Sequence, residues 1–271
     1  LIYYMDNLVI TIMAGGMGKR MKSDLPKVLN KFGDKPMIVC ILNQCFKLNT
    51  KKIILITGKF DKLIRDTIQQ YVSAKNFEKI KFVIQENPLG TGHAVKFALP
   101  ELEDNEEVLI LNGDMPLINS NLIEKFYNSS KDNCLLVAKF ENSHGYGRIF
   151  YENGKFKKII EQKDCTDIEK KINIINSGLY KIKSSDLKKY IPQINNNNNQ
   201  NEYYLTDIIE LMVNDNINID TYQIETKANK LITGVNTKEE LEELSKFNTA
   251  IDYSYFDLKE DGFKRDHLYC D

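Results

Sequence analysis

Apolar runs of strand length alternate with amphipathic stretches through the first half of the chain. LVITIM (Leu8 to Met13), KIILIT (Lys52 to Thr57), KIKFVIQ (Lys79 to Gln85) and EVLILNGD (Glu107 to Asp114) read as strands. Between them, PMIVCILNQCFKL (Pro36 to Leu48), DKLIRDTIQQYV (Asp61 to Val72), TGHAVKFAL (Thr91 to Leu99) and NSNLIEKFYNSS (Asn119 to Ser130) carry helical spacing. Pro36 suits a helix start, where its missing N–H matters little, and Thr91 is placed to cap its helix. Repeated strand–helix units of this length predict an α/β fold with a mostly parallel sheet and helices on both faces.

The second half changes character. CLLVAKF, GRIFYE, KFKKIIEQ and INIINSGLYKI are strand-like and more closely spaced, which suits a small antiparallel or mixed lobe. NNNNN (Asn195 to Asn199) is low-complexity and reads as a mobile loop. YLTDIIELMVND is helical and NIDTYQIE is a strand. TKEELEELSKF opens with a capping-box pattern, Thr237 and Glu240, and its apolar stripe of Leu241, Leu244 and Phe247 is expected to pack on the domain. No internal repeat is visible, and no hexapeptide solenoid pattern.

The chain has 271 residues, 42% hydrophobic, and a formal net charge of -1. That is ample for one large domain with a lobe. Balanced charge leaves no basic face for nucleic acid in the total, and the longest apolar runs fall well short of a bilayer span. The start, LIYYMDN, lacks the charged n-region of a signal peptide; Met5 is a candidate natural start, so residues 1–4 are set aside. Five scattered cysteines (Cys40, Cys45, Cys134, Cys165, Cys270) without CxxC spacing read as reduced thiols, and the expected location is cytoplasmic.

One segment points to chemistry: MAGGMGKRM, Met13 to Met21, directly after the first strand. A nucleotide-triphosphate P-loop fails, because Met13 stands where glycine is required and Arg20 where Ser or Thr should come after the lysine. The dinucleotide fingerprint begins with Gly16 and Gly18 but ends on Met21. KSDL comes next and then Pro26-Lys27, so the loop reads GxG-x-R-M-x4-PK. Glycines let backbone N–H groups approach phosphate oxygens, while Arg20 and Lys27 bring two cations to a polyphosphate. Downstream, LNGDMPL places Asp114 just beyond an apolar strand, at the sheet edge where ligands gather. A hard cation such as Mg²⁺ takes one or two protein oxygens plus substrate phosphates, which makes Asp114 the first metal-ligand candidate. His93 is expected to be structural, carried inward beside Ala94.

With QENPLGTGHA, HGYGRI, IIEQKD, INSGLY, NEYYLTDII and GVN also present in order, the chain from Leu8 to about Asn236 resembles the sugar-1-phosphate nucleotidyltransferases. It is most similar to the N-terminal uridylyltransferase domain of bifunctional N-acetylglucosamine-1-phosphate uridylyltransferases. The resemblance implies a Rossmann-like mixed sheet of the nucleotide-diphospho-sugar transferase type with a small β-rich sugar-binding lobe. The implied division is residues 5–236, nucleotide-binding to about 135 and sugar-binding thereafter, with 237–271 a C-terminal helix and tail. It implies nucleotide contacts at Met13, Ala14, Gly15, Gly16 and Gly18, and a uracil pocket at Gln85, Gly90 and Thr91, where a carboxamide can donate and accept side by side. It implies sugar contacts at Asn112, Gly113, Gly147, Glu161, Asn176 and Thr206, and Asn236 as the partner of Asp114 on Mg²⁺. Arg20 would stabilise departing pyrophosphate and Lys27 the α-phosphate. The expected partners are UTP and a sugar-1-phosphate, without nucleic acid or membrane, in a monomer or small homo-oligomer.

Three departures from the family pattern are visible. Lys19 stands where the family usually has Thr, Met17 where lysine is frequent, and Asn112 where an aromatic is often found. The β-helix acetyltransferase domain of the bifunctional proteins is not expected here. Three readings stay open: uridylyl transfer to N-acetylglucosamine-1-phosphate, transfer involving another sugar-1-phosphate or CTP, and nucleotide-sugar binding without turnover.

Overall fold

The computed structural model describes residues 7–152 and 155–247, without the side chain of Lys19. The expected start at Met5, the tail 248–271 and Cys270 lie outside the described residues. Eleven strands and eight α-helices succeed one another as β1 (Leu8–Met13), β2 (Lys31–Phe32), β3 (Lys35–Pro36), α1 (Met37–Cys45), β4 (Lys52–Thr57), α2 (Asp61–Tyr71), α3 (Ala74–Phe77), β5 (Ile80–Ile84), α4 (Thr91–Ala98), β6 (Glu107–Asn112), α5 (Ser120–Asn128), β7 (Asn133–Lys139), β8 (Arg148–Glu152), β9 (Lys155–Ile160), β10 (Ile174–Lys183), α6 (Ser184–Tyr190), α7 (Asp207–Asn214), β11 (Ile219–Gln223) and α8 (Lys238–Ser245), counted among the described residues.

Nine strands form one sheet, whose main path runs β11-β7-β10-β6-β1-β4-β5. β1 pairs in parallel with β4 and β6, β4 with β5, and β7 with β11. Only β10 runs against the rest of this path, antiparallel to both β6 and β7. The alternation of side chains along each strand sorts the core into two faces. Leu8, Ile10 and Ile12 pack with Ile38, Ile41, Ile64 and Phe126 of α1, α2 and α5. Val9, Ile54 and Ile110 pack with Val95, Leu187 and Ile208 of α4, α6 and α7. The mostly parallel sheet with helices on both faces is therefore as the hydrophobic pattern predicts.

The strands of the second half do not make a free-standing lobe. β7, β10 and β11 continue the main sheet, and only the β8–β9 hairpin stands off it, joined through Arg148 and Ile175. The asparagine run is hydrogen-bonded to its surroundings. Asn199 bonds the Asp164 carboxylate and the Lys163 carbonyl, and Asn198 bonds Glu202 and Gln200. Short amide side chains that bond the backbone two residues on, as Asn195 and Asn198 do, form turns of this kind. α8 docks as expected: Leu241 and Leu244 join Met21, Phe32, Met37, Leu117 and Val235 in a third cluster.

Candidate functional site

The parallel strands end at one edge of the sheet, and that edge carries the candidate residues. The glycine loop comes after β1, Gln85 after β5, Asp114 after β6, and the Gly145–Gly147 turn after β7. Because β10 runs the other way, its beginning arrives at the same edge, with Asn176 opposite Val137. A register shift between Asn176 and Tyr180 then pushes the strand out toward β6. Gly178 sits in that bulge at φ +82°, and a Cβ there would lie 2.2 Å from Asn112 Nδ2, so only glycine lets the strand close on Asn112.

Two adjoining cavities open here. The first, about 250 Å³, is lined by the glycine loop at Gly15 and Gly16, by Lys27, and by the base-loop residues Gln85, Gly90 and Thr91. The second, about 430 Å³, is lined by Gly147, Glu161, Asn176 and Asn236 among others. Met13, Thr91, Asn112 and Asp114 border both, which puts Asp114 at their junction.

At that junction the charged candidates meet. The Lys27 ammonium donates to the Asp114 carboxylate and, at 2.9 Å, to Asn236 Oδ1. Arg20 Nη2 donates to the same Asn236 oxygen at 3.0 Å. The ammonium and one of the two side chains that hold it, Asn236, thus lie 209 residues apart in the chain. Gly18 makes this possible: at φ +63° its Cα faces the Lys27 stem, and an added Cβ would fall 2.7 Å from Lys27 Cβ. Asn236 is held in turn by its backbone N–H on Glu240 Oε2, the same oxygen that completes the capping box of α8.

The base loop is built differently from expectation at two places. Thr91 does not cap α4; Gly90 occupies the N-cap position, and the Thr91 hydroxyl accepts from Leu205 N–H at 2.9 Å, tying the loop to the segment before α7. Gln85 Nε2 donates to the Gly90 carbonyl at 3.2 Å and faces His93 Nδ1 at 2.9 Å, so its amide hydrogens are engaged inside the protein. The carboxamide cannot then both donate to and accept from a base. His93 is half-buried on α4, with Nδ1 against Gln85.

On the second cavity, burial pushes the Glu161 carboxyl above its ordinary range, opposed by a hydrogen bond from the Thr206 hydroxyl at 3.0 Å. Nearby Asp164 and Glu202 push it further the same way. Burial, then Glu161, raises Asp207 to about 6. Burial also pushes Tyr146 up to about 12, opposed by a hydrogen bond between its hydroxyl and the backbone of Gly234, which lines the same cavity. Asn176 donates to the Tyr180 hydroxyl at 2.6 Å and accepts from Gly178 N–H.

Four candidates line neither cavity. Gly18 supports Lys27, Thr206 acts on Glu161, and Arg20 reaches Asn236 from an exposed position. Ala14 is buried with its N–H on the Ile56 carbonyl. Conversely, Glu202 lines the first cavity, and His144, Gly178, Gly234 and Glu240 line the second, without having been singled out as ligand contacts. His144, Gly178, Glu202 and Gly234 fall inside the motifs HGYGRI, INSGLY, NEYYLTDII and GVN, whereas Glu240 stood out only by its capping box, which speaks of helix ends and not of ligands.

A glycine loop with two cations, the Gln85–Thr91 loop and a carboxylate converge on one edge of a mostly parallel α/β sheet. Residues 9–228 match the Nucleotidyl transferase family model, and the chain belongs to that family of enzymes. It is 46% identical over 242 residues to a probable UDP-N-acetylglucosamine pyrophosphorylase of Acanthamoeba polyphaga mimivirus, covering 87% of this chain and 94% of that protein. It is 40% identical over 234 residues to the bifunctional protein GlmU of Aliarcobacter butzleri, covering 86% of this chain and 51% of that one. Among solved structures, a UDP-glucose pyrophosphorylase complexed with UDP-glucose superposes with a TM-score of 0.69 at 17% identity, over 89% of this chain and 98% of the other, which establishes the shared fold. No described helix is long and apolar enough to cross a membrane.

Proposed function

We propose that the chain transfers UMP from UTP to N-acetylglucosamine-1-phosphate, giving UDP-N-acetylglucosamine and pyrophosphate. The observation that carries this is the meeting of Lys27, Arg20, Asp114 and Asn236 at the junction of two cavities, one beside the base loop and one lined by polar groups. The name of the mimivirus relative, a probable UDP-N-acetylglucosamine pyrophosphorylase, supports this choice of product. In this reading the half up to about residue 135 takes the nucleotide and the half from 136 to 236 takes the sugar.

The residues fit a divalent cation. Asp114 and Asn236 already converge two oxygens on one positive group, and no cluster of three or more His, Cys, Asp or Glu side chains suited to a metal occurs among the described residues. That is the donor set expected where substrate phosphates complete the coordination of Mg²⁺. When bound, the ion neutralises phosphate charge as a Lewis acid.

A sugar phosphate has a second pKa near about 6, so at neutral pH its oxygen is already a nucleophile and no general base is needed. That oxygen bonds to the α-phosphorus as the bond to the bridging β-oxygen breaks, and pyrophosphate leaves with the electron pair. Lys27 holds negative charge at the α-phosphate, Arg20 holds it on the leaving group, and the glycine loop offers backbone N–H groups. Glu161 and Asn176 accept and position sugar hydroxyls in the larger cavity.

Pyrophosphate release is the test, with Mg²⁺ and UTP and with N-acetylglucosamine-1-phosphate, glucose-1-phosphate or no acceptor. Release that depends on the N-acetylated acceptor is expected. Release only with another acceptor overturns the sugar assignment, and silence from protein that still binds UTP overturns transfer.

A further inference from the structure

His93 stands on the first turn of α4, with its ring edge-on to Phe97 at a centroid distance of 5.1 Å and tilted against Tyr203 at 6.2 Å. Its Nδ1 lies 2.9 Å from Gln85 Nε2. The same Gln85 nitrogen faces the Gly90 carbonyl at 3.2 Å. A carbonyl can only accept, so the end of the carboxamide that meets Gly90 is its NH₂ group. His93 Nδ1 is therefore an acceptor too, in a neutral ring protonated on the other nitrogen. Both amide hydrogens of Gln85 are thereby engaged. Its Oε1 takes no hydrogen bond from the protein among the described residues, and it is the polar atom the side chain can offer to the cavity it lines.

Reversing the carboxamide would set Oε1 against the Gly90 oxygen and the Nδ1 lone pair, in a side chain only 6% exposed. We propose that His93 is a positioning residue for pyrimidine choice: it fixes Gln85 with its acceptor outward, favouring uracil, which donates at N3, over cytosine, which presents a lone pair there. This rests on the uridylyl reading above. Desolvation, and then Lys96 on the same helix, hold the ring's pKa below the ordinary histidine value, which preserves the accepting Nδ1.

The experiment measures calorimetric binding of UTP and of CTP, each with Mg²⁺, to the wild type, His93→Leu and His93→Asn. Leucine fills the space without an acceptor, whereas asparagine Oδ1 takes the place of Nδ1. The wild type is expected to prefer UTP. His93→Leu should narrow the UTP-to-CTP affinity ratio about tenfold, the scale of one buried hydrogen bond, and His93→Asn should keep most of it. Equal binding of the two nucleotides by the wild type, an unchanged ratio in His93→Leu, or equal loss in both variants would overturn the assignment. Nitrogen chemical shifts of His93 in labelled wild type provide a check independent of how the variants fold: protonated Nδ1 would also overturn it. A wild type that prefers UTP yet releases no pyrophosphate with any acceptor would count against transfer and leave this assignment standing.

Discussion

One ammonium organises the junction of the two cavities. Lys27 satisfies Asp114 and Asn236 together, the position a hard cation would share with them. Lys27→Ala is expected to lower kcat by about a hundredfold or more, because charge neutralisation at phosphorus is the main catalytic resource in phosphoryl transfer. Circular dichroism and the melting temperature should stay close to wild type, and wild-type turnover would remove Lys27 from the mechanism. Asp207 permits a second expectation. Its carboxyl is raised from 3.8 to about 6 by burial and then by Glu161, so the folded state binds the proton more tightly than the unfolded chain. Stability from this group is present at low pH and falls as pH rises from about 4 to about 6. Asp207→Asn should raise the melting temperature by a few degrees near about pH 7.5 and leave it unchanged near about pH 4; equal shifts at both would assign the effect to something other than titration. Among single residues, Lys27 and Asp114 are legible in the sequence because a cation stiffened by proline beside a glycine loop, and a carboxylate just past a buried apolar strand, both suit a bound phosphate and its counter-ion. The acceptor-outward Gln85 is not legible, since its orientation is set by His93 and Gly90 meeting it in space.

Element boundaries bear directly on function at α8. The Glu240 carboxylate accepts from the backbone N–H of both Asn236 and Thr237, while the Thr237 hydroxyl accepts from Glu240 N–H at 3.1 Å. The helix start and the side chain proposed as the second cation ligand, Asn236, are thereby one structure. Thr237→Ala should cost about 1 kcal/mol of stability, as loss of an N-cap does, with little change in kcat. Glu240→Ala removes the support of Asn236 and should lower kcat as well. Denaturant melts and initial rates on both variants check this; equal effects on rate would dissolve the link. The longer helices and the first four long strands are readable from period alone, as is this capping box, whereas α3 and α6 are too short to show a period. The membership of β7, β10 and β11 in the main sheet is not. Their partners lie far off in sequence, Tyr180 opposite Ile110 and Thr221 opposite Leu135, and no local pattern records such pairing. The asparagine run shows a related gap: composition does not record that the Asn199 backbone N–H meets the Asp164 carboxylate and its side-chain amide the Lys163 carbonyl.

For the whole molecule, the fold class comes from alternating strands and helices, and the location of the site from the rule that parallel strands gather ligands at their carboxyl ends. Sequence pattern does not reveal the insertion of one opposed strand between β6 and β7, which joins the two cavities' walls in a single sheet. A fragment ending at Asn173 lacks that strand. It is expected to melt without a cooperative transition and to bind a hydrophobic dye, measured by circular dichroism and fluorescence; a sharp melt like the full chain's would show that the first half folds alone. The same arrangement has a consequence during synthesis. β7 leaves the ribosome before both of its sheet partners, β10 and β11, so it must wait with both edges open until Lys183 has emerged and β10 can join it to β6. Asn236 emerges roughly fifty residues later, which at translation speeds of about 5–20 residues per second is an interval of seconds. Throughout that interval the nascent chain carries a phosphate loop and an unfinished sheet, and its exposure to chaperones and to aggregation is set by strand order.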